Sequence, residues 1–426
     1  MTTIVSRATF RAGPATEWRP LGYLEPGTGI NVDAQAPGGG WVRGIVPDGT
    51  VGWVVQTAID ATPEQVDALP RLWIDAPFTL PAPAGAAPAP EQPAAEQPAE
   101  DASAAAAPPP AAVNAAPPPR GFSLGGHIAG YDERAINYMR QAGMTWVKKQ
   151  VRHSPGQSPA DVAGLINEAK SYGFRIMLGV VGSNRDFINQ QGYFEDYAAF
   201  VAGLAAQGAD AIEIWNEPNI DREWPSGSIN PAQYTQLLAQ AYNAIKAANP
   251  NTIVISGAPA PTGFFGGCSG SGCDDNAYVQ GMAAAGAARY MDCLGIHYNE
   301  GILGPTVTRG DPRGNSGHYT RYYQSMVNTY LRAIGNARPL CFTELGYLTP
   351  EGFPPLPGAF GWAENVTVAQ QAAWLDQVVS MAGRSGRVRI LIIWNVNFTN
   401  YDDDPMAGYA IIRPDGSCPA CVALGS

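Results

Sequence analysis

Positive charge is scarce in this sequence. Lysine and arginine number 26 against 37 aspartates and glutamates, leaving a net charge of -11. A face for nucleic acid needs clustered basic residues to neutralise phosphates, so no nucleic-acid partner is expected. Long apolar runs are also missing: no stretch reaches the roughly 18 residues that mark a membrane-spanning helix, so no membrane span is expected. The opening residues, M-T-T-I-V-S-R-A-T-F, lack the apolar centre of a secretory signal. On that reading the chain is cytoplasmic, or its signal has been removed or is of an unusual kind. No glycine-rich phosphate loop follows any strand-like run, which weighs against a nucleotide-binding doubly wound sheet. Histidine occurs four times, so a histidine at a strand end is informative.

What is present is apolar mass and order. Hydrophobic residues make up 45% of the 426 and charged residues 15%, enough for a sizeable core and for more than one domain. Residues 1–78 read as a small all-β unit. Short apolar runs at 21–24, 30–32, 41–46 and 52–55 alternate with the turn signals Pro26-Gly27, Gly38-Gly39-Gly40 and Asp48-Gly49. Residues 79–119 are a low-complexity stretch of Pro, Ala, Glu and Gln that cannot bury enough surface to fold. Such a linker is extended, at about 3.1 Å per residue, and separates its neighbours by on the order of 100 Å. From 120 to 426 strand-like runs alternate with amphipathic ones. The strands fall at 123–128, 145–151, 175–181, 211–215, 252–256, 293–297, 340–343 and 388–394, with helices such as 159–171, 193–208, 231–248, 318–334 and 368–384 between them. Eight strands with intervening helices predict an α/β (β/α)8 barrel, with an open doubly wound sheet as the alternative. The last helix has little chain left and is expected to be short.

The six cysteines divide into three readings. Cys268 and Cys273 flank a flexible S-G-S-G and are expected to bridge, which points to an oxidising compartment. Cys418 and Cys421 form C-x-x-C; a zinc site built from both pairs is the alternative, although nothing in the sequence brings them together. Cys293 and Cys341 each open an apolar strand and read as buried small hydrophobes.

The chemistry concentrates at two strand ends. Residues 211–220 read A-I-E-I-W-N-E-P-N-I, and Pro218 helps to end the strand because it cannot donate to a ladder. Residues 340–348 read L-C-F-T-E-L-G-Y-L, placing Glu344 at the end of strand seven as Glu217 ends strand four. The C-terminal ends of barrel strands carry the active site, and two carboxylates there are the minimum equipment for cleaving a glycosidic bond. These two motifs resemble glycoside hydrolase clan A, in particular family 39-like or cellulase-like members, across the whole of 120–426. The segments R-A-G-P at 11–14, L-E-P-G-T at 24–28, G-W-V-R at 40–43 and P-D-G-T-V-G-W-V at 47–54 resemble a bacterial SH3-like domain. That second resemblance implies attachment to cell-wall or other extracellular material; a folding unit without a ligand is the plainer alternative.

The clan resemblance implies a retaining hydrolase of β-linked oligo- or polysaccharides, extracellular or at the cell surface, working without a cofactor. Glu217 is the implied general acid/base and Glu344 the implied nucleophile. Retention needs the carboxyls about 5–5.5 Å apart, with the acid protonated at rest and its pKa raised by the neighbouring negative charge. Asn216 is placed to donate to the sugar 2-hydroxyl. His297 and Tyr298, in G-I-H-Y-N, are implied to hydrogen-bond the nucleophile, against a packing role for each. Trp394 offers a stacking face for a sugar ring or fills the core. His127 touches a sugar hydroxyl or is structural. Lys148 stands near where many clan members place an arginine, without that residue's bidentate fork. Asn184 is a weaker candidate. Trp224 lies on the loop after strand four, and Phe353, Phe360 and Trp362 on the loop after strand seven; all are candidate cleft aromatics. Tyr401-Asp402-Asp403-Asp404 reads as a solvated acidic loop or, less well, a calcium site; no metal ligand is assigned. Glu213 points into the barrel as a structural residue. Two other functions fit the same residues: a carbohydrate- or wall-binding protein on a hydrolase scaffold, and a transglycosylase.

Overall fold

A computed structural model describes residues 2–11, 20–36, 40–70, 121–269 and 272–425. The linker expected over 79–119 lies outside the described residues, as do most of R-A-G-P and the glycines at 38–39.

The N-terminal unit is an antiparallel sheet of β1 (Thr2–Thr3), β2 (Ala8–Arg11), β3 (Pro20–Leu24), β4 (Gly29–Gln35), β5 (Trp41–Ile45) and β6 (Val51–Val55), followed by the short helix α1 (Pro63–Asp67). Its spatial order is β1-β4-β5-β6-β2-β3. The four apolar runs of the sequence coincide with β3 to β6. Alternate residues turn inward, so Phe10, Ile30, Val42 and Val54 meet in one core. The β5–β6 hairpin turns at Asp48-Gly49. The Asp48 carboxylate accepts from the Thr50 amide at 2.8 Å, and Gly49 takes φ +87°, which a side chain would resist.

The second unit is a closed (β/α)8 barrel. In chain order it contains β7 (Ser123–His127), α2 (Glu133–Gln141), β8 (Trp146–His153), α3 (Ala163–Ser171), β9 (Arg175–Gly182), α4 (Tyr193–Ala206), β10 (Ala211–Ile214), α5 (Pro231–Ala248) and β11 (Ile253–Ser256). A small hairpin of β12 (Cys268–Ser269) and β13 (Gly272–Cys273) follows, then α6 (Asp275–Ala284), β14 (Leu294–Tyr298), α7 (Tyr323–Ala333), β15 (Leu340–Leu345), α8 (Val368–Ser385), β16 (Val388–Ile393), α9 (Met406–Tyr409) and α10 (Pro419–Leu424). The sheet order is β11-β10-β9-β8-β7-β16-β15-β14, parallel throughout. A parallel bridge between Ile255 and Cys293 joins β11 to the start of β14, and the Gly295 amide donates to Ser256 Oγ at 3.0 Å. A Cβ on Gly295 would lie 2.1 Å from the Ser256 carbonyl, so glycine permits this closure. Closure removes the sheet edges and excludes the open-sheet alternative.

Local signals set the helix limits. Asn230 caps α5 by accepting from the Ala232 and Gln233 amides, with Pro231 in the first turn. Thr367 and Gln370 form a reciprocal capping box at α8, and Gly386 at φ +64° ends it. The helix expected over 318–334 begins instead as a separate 3-10 turn, Tyr319–Arg321, before α7. The last helix, α10, is six residues long and rests on α8 and α2.

Two layers of core result. Helix faces such as Tyr197, Phe200, Val201 and Leu204 of α4 cover the outside of the sheet. Inside the barrel, Trp146, Met177, Ala211, Ile255, Cys293, Cys341 and Ile392 form a dry plug. Cys293 and Cys341 are not free buried hydrophobes as expected. They are joined in a disulfide between the residue that leads into β14 and the adjacent strand β15, with Cα atoms 5.7 Å apart. Parallel pairing brings the two inward-facing side chains together, a juxtaposition that their separation of 48 residues hides. Cys268–Cys273 bridges as expected, and Cys418–Cys421 bridges within its own C-x-x-C. The two pairs that a zinc site would have needed are thus each closed upon themselves. Among the described residues no helix is long and apolar enough to cross a membrane.

Candidate active site

Above the dry plug the barrel interior becomes charged. Trp146 faces inward on β8, so Lys148, two residues on, does too; Ala211 on β10 places Glu213 likewise. Lys148 is 1% exposed, and its Nζ lies 2.9 Å from Glu213 Oε2 and 3.4 Å from Glu344 Oε1. It also donates to the Thr343 carbonyl at 3.2 Å. Burial acts to lower the lysine pKa, but the two carboxylates outweigh it and hold the ammonium charged. Lys148 therefore makes no direct contact available to a substrate, correcting its assignment as a substrate-binding residue. It is the internal counter-ion of Glu213 and Glu344, and Glu213 is fully buried inside the barrel.

Irregular backbone aims the two glutamates. Beyond β10, Trp215 takes φ +72° and Glu217 φ +42°, both in the left-handed region that costs an ordinary residue energy. The surroundings hold that turn. Tyr234 of α5 donates to the Ile214 carbonyl at 2.8 Å, Tyr197 of α4 accepts from the Trp215 amide at 3.2 Å, and the Glu217 amide donates to the Ala258 carbonyl at 3.0 Å. On β15 the register against β14 slips, so that Ile296 faces Phe342 but His297 faces Glu344. Thr343 is the extra residue of this bulge, and the shift turns Glu344 toward the mouth.

His297 sits between the two carboxyls. Its Nδ1 donates to Glu217 Oε1 at 3.2 Å and lies 4.0 Å from Glu344 Oε2. One ring nitrogen thus brings both glutamates within a single substrate's reach. Burial acts to lower the imidazole pKa, but the Glu344 charge and the Glu217 hydrogen bond raise it. Asn299 donates to Glu344 Oε2 at 3.2 Å. Glu217 Oε2 receives Arg222 Nη2 at 2.8 Å, an arginine whose side chain is 67% exposed. The resting state of Glu217 is the reverse of the expectation. Burial works to raise its pKa, but the His297 hydrogen bond and the Arg222 charge prevail and hold it at about 2, ionised.

The remaining expected residues divide by access. His297 hydrogen-bonds Glu217 rather than Glu344, and Tyr298 is buried with its hydroxyl donating to the Arg321 carbonyl at 3.4 Å. The expected hydrogen bonds from these two to Glu344 are not formed: His297 approaches it at 4.0 Å, and its closer partners are Asn299 and Lys148. Trp224 is fully buried, edge-on to Trp215, with its N–H donating to the Ser228 carbonyl, so no face is open to a sugar. Its assignment as a cleft aromatic is corrected to a core one. His127 is buried beneath Trp394 and Phe398, with ring centroids 4.9 and 5.1 Å away; burial and the nearby lysines push its pKa well down, so it is neutral. Trp394 is half-buried at the mouth and packs in one cluster with Phe360, Trp362 and Tyr401. Asn216 is half-buried beside Glu217. Phe353 stacks on Tyr401 at 4.3 Å. Asn184 caps a 3-10 turn by accepting from the Asp186 amide. Asp402 accepts from Asn400 and the Asp404 amide within its own turn. Among the described residues no group of three His, Cys, Asp or Glu side chains is placed to hold a metal ion.

Sequence reasoning passed over Asn299, Arg222 and Glu223. Asn299 was visible as the residue after His297-Tyr298. Arg222 carries no local signal, because its approach to Glu217 depends on how the chain turns after Pro218. Glu223 is mostly buried and 3.9 Å from Arg222 Nε; burial and the Glu217 charge raise its pKa.

The arrangement holds two carboxylates by different means at one end of the barrel: Glu344 by a lysine and an amide, Glu217 by a histidine and an arginine. No protein-family profile matches the chain, and no curated protein does. Solved structures are similar to it at low identity. They include an endo-1,4-beta-mannanase from Rhizomucor miehei, at 13% identity over 72% of this chain and 94% of that one, with a TM-score of 0.45. A GH10 protein from Paenibacillus barcinonensis is 12% identical over 72% and 94%, with a TM-score of 0.48. Thermotoga maritima Cel5A, solved in complex with cellobiose, is 16% identical over 71% and 97%, with a TM-score of 0.42.

Proposed function

We propose that the barrel is a retaining glycoside hydrolase acting on a β-linked oligo- or polysaccharide. The observation that carries this reading is that Glu217, just beyond strand four, and Glu344, on strand seven, bracket His297 at the C-terminal mouth of the barrel. Glu344, with Lys148 and Asn299 aimed at it, attacks the anomeric carbon. Glu217 delivers a proton to the departing oxygen and, once ionised, takes a proton from the water that releases the sugar. Asn216 is the residue beside Glu217 suited to the 2-hydroxyl, and the half-buried Trp394 and Trp362 are the aromatic faces suited to sugar rings. The three disulfides support an extracellular setting. In that setting the N-terminal sheet, read as SH3-like from its motifs, holds the barrel near a cell-wall or surface ligand.

Reducing-end release from a panel of plant, bacterial and synthetic β-glycosides tests the reading. Wild type releases sugar and Glu344→Gln does not, while both remain folded by circular dichroism. Glu217→Ala loses far more activity on natural substrates than on aryl glycosides with activated leaving groups, which need little protonation. Full activity in Glu344→Gln would overturn the assignment, and glycan binding without release by the wild type would make the protein a binder. Product analysis separates hydrolysis from transfer to a second sugar.

A further inference from the structure

Glu217 as found is equipped for the second half of a retaining cycle and not for the first. An acid must hold a proton, yet this carboxylate accepts from a buried histidine and a guanidinium. The two donors differ in kind. His297 is on β14, fully buried, and cannot leave. Arg222 reaches Glu217 from the rim with 67% of its side chain exposed, so water, salt and an incoming ligand compete for its guanidinium although the carboxylate it holds is buried. Its backbone is fixed: Ile220 pairs with Gly272 of the disulfide-closed hairpin, and the Glu223 amide donates to the Ile220 carbonyl at 3.2 Å. Only the side chain is free to swing, and a second seat is at hand. Its Nε is already 3.9 Å from Glu223 Oε1. The guanidinium therefore stands between two carboxylates, on the open side of Glu217 where a leaving group would depart.

We propose that Arg222 is a displaceable cap on Glu217, seated on Glu217 in the empty site and on Glu223 when a saccharide enters, and that its departure licenses Glu217 to carry the proton for the leaving group. Arg222 and Glu223 are positioning residues in this scheme. The groups facing Glu217 are His297 from β14, Glu344 from β15, Arg222 and Glu223 from the loop after β10, and Asp404 from the loop after β16, with the Lys148–Glu213 pair below. Of these, Arg222 is the exposed cation. Its removal leaves Glu217 among Glu344, Glu223 and Asp404 and favours the protonated form. When Arg222 returns after the first step, it favours the ionised form that activates water. The protons balance: Glu217 takes one from bulk water as Arg222 leaves and gives it to the departing oxygen, then takes one from the attacking water and returns it to bulk water as Arg222 reseats.

The role of the proton rests on the hydrolase reading above; the cap itself does not, so two measurements keep them apart. The first is a carbon-13 NMR titration of glutamate side-chain carboxyls in the full chain, with Glu217 assigned by its absence in Glu217→Gln. Glu217 is expected to titrate far below the ordinary range in wild type, to rise by at least one pH unit in Arg222→Gln or in 1 M salt, and to stay low in Arg222→Lys. No movement in Arg222→Gln overturns the cap, whatever the enzyme does. The second is the pH profile of kcat/KM. On a substrate with an unactivated leaving group, Arg222→Gln moves the alkaline limb up and Glu223→Gln moves it down; on an activated aryl glycoside neither moves it. Equal loss on both substrates with unmoved limbs would make Arg222 a substrate contact and overturn its control of the proton. Failure of the wild type to release sugar from any substrate would sink the hydrolase reading and leave the titration to decide the cap.

Discussion

Lys148 shows how much of the site hangs on one buried charge. It is the cation between Glu213 below and Glu344 above, and all three are almost wholly inside the barrel. Removing one member of a buried charge pair costs about 3–5 kcal/mol, because the partner remains charged, buried and unpaired. Lys148→Met is accordingly expected to lower the stability read by urea denaturation by about that amount, and to abolish sugar release. Adding Glu213→Leu removes the orphaned charge. The double variant should recover most of the stability while remaining inactive, since Glu344 still lacks its lysine. Recovery of activity along with stability would show that Lys148 serves the fold alone. The position was legible as a charged residue on strand two, but its direction was not. That direction follows from strand parity counted from Trp146, which becomes meaningful only once the barrel is known to close.

At the level of elements, the three disulfides are unequal, and loop length ranks them. In the chain-entropy picture a bridge constrains the unfolded chain more the longer the loop it closes. Cys293–Cys341, with a separation of 48, is worth about 4 kcal/mol by that relation, and Cys418–Cys421, with a separation of 3, about 1.5 kcal/mol. Replacing Cys293 and Cys341 by alanine should therefore shift the guanidinium midpoint clearly more than the same change at Cys418 and Cys421. Equal shifts would mean that loop length does not rank the bridges. The short hairpin closed by Cys268 and Cys273 has another use. It braces Asn219 and Ile220 through the Cys273 amide and the Ile220–Gly272 bridge, and so fixes the loop that presents Arg222.

At the scale of the whole molecule, the hydrophobic clusters of the N-terminal unit and of the barrel share no residue among the described residues. The first is built from residues up to 69 and the others from residues 122 onward. Units with separate cores fold separately. A chain lacking residues 1–119 is expected to keep its melting transition and its kcat/KM on soluble β-glycosides, and to lose activity on insoluble wall material in a sedimentation-coupled assay. Loss on both substrate forms would tie the N-terminal sheet to the barrel's stability or site.

By itself the sequence determined the architecture and the two glutamates. Strand-length apolar runs spaced by amphipathic ones leave few folds other than a barrel, and turn residues such as Asp48-Gly49 and caps such as Asn230-Pro231 act locally, so they can be read locally. Glu217 and Glu344 were legible because a carboxylate at the end of an apolar strand is a local pattern too. The tertiary structure decided what each side chain faces. The bulge at Thr343, the left-handed turns at Trp215 and Glu217, the Cys293–Cys341 bridge, the burial of Trp224 and the arrival of Arg222 all depend on residues distant in the chain. The charge state of Glu217 followed suit: its pKa answers to a histidine 80 residues away and to an arginine beyond a proline turn, neither of which is part of its own strand.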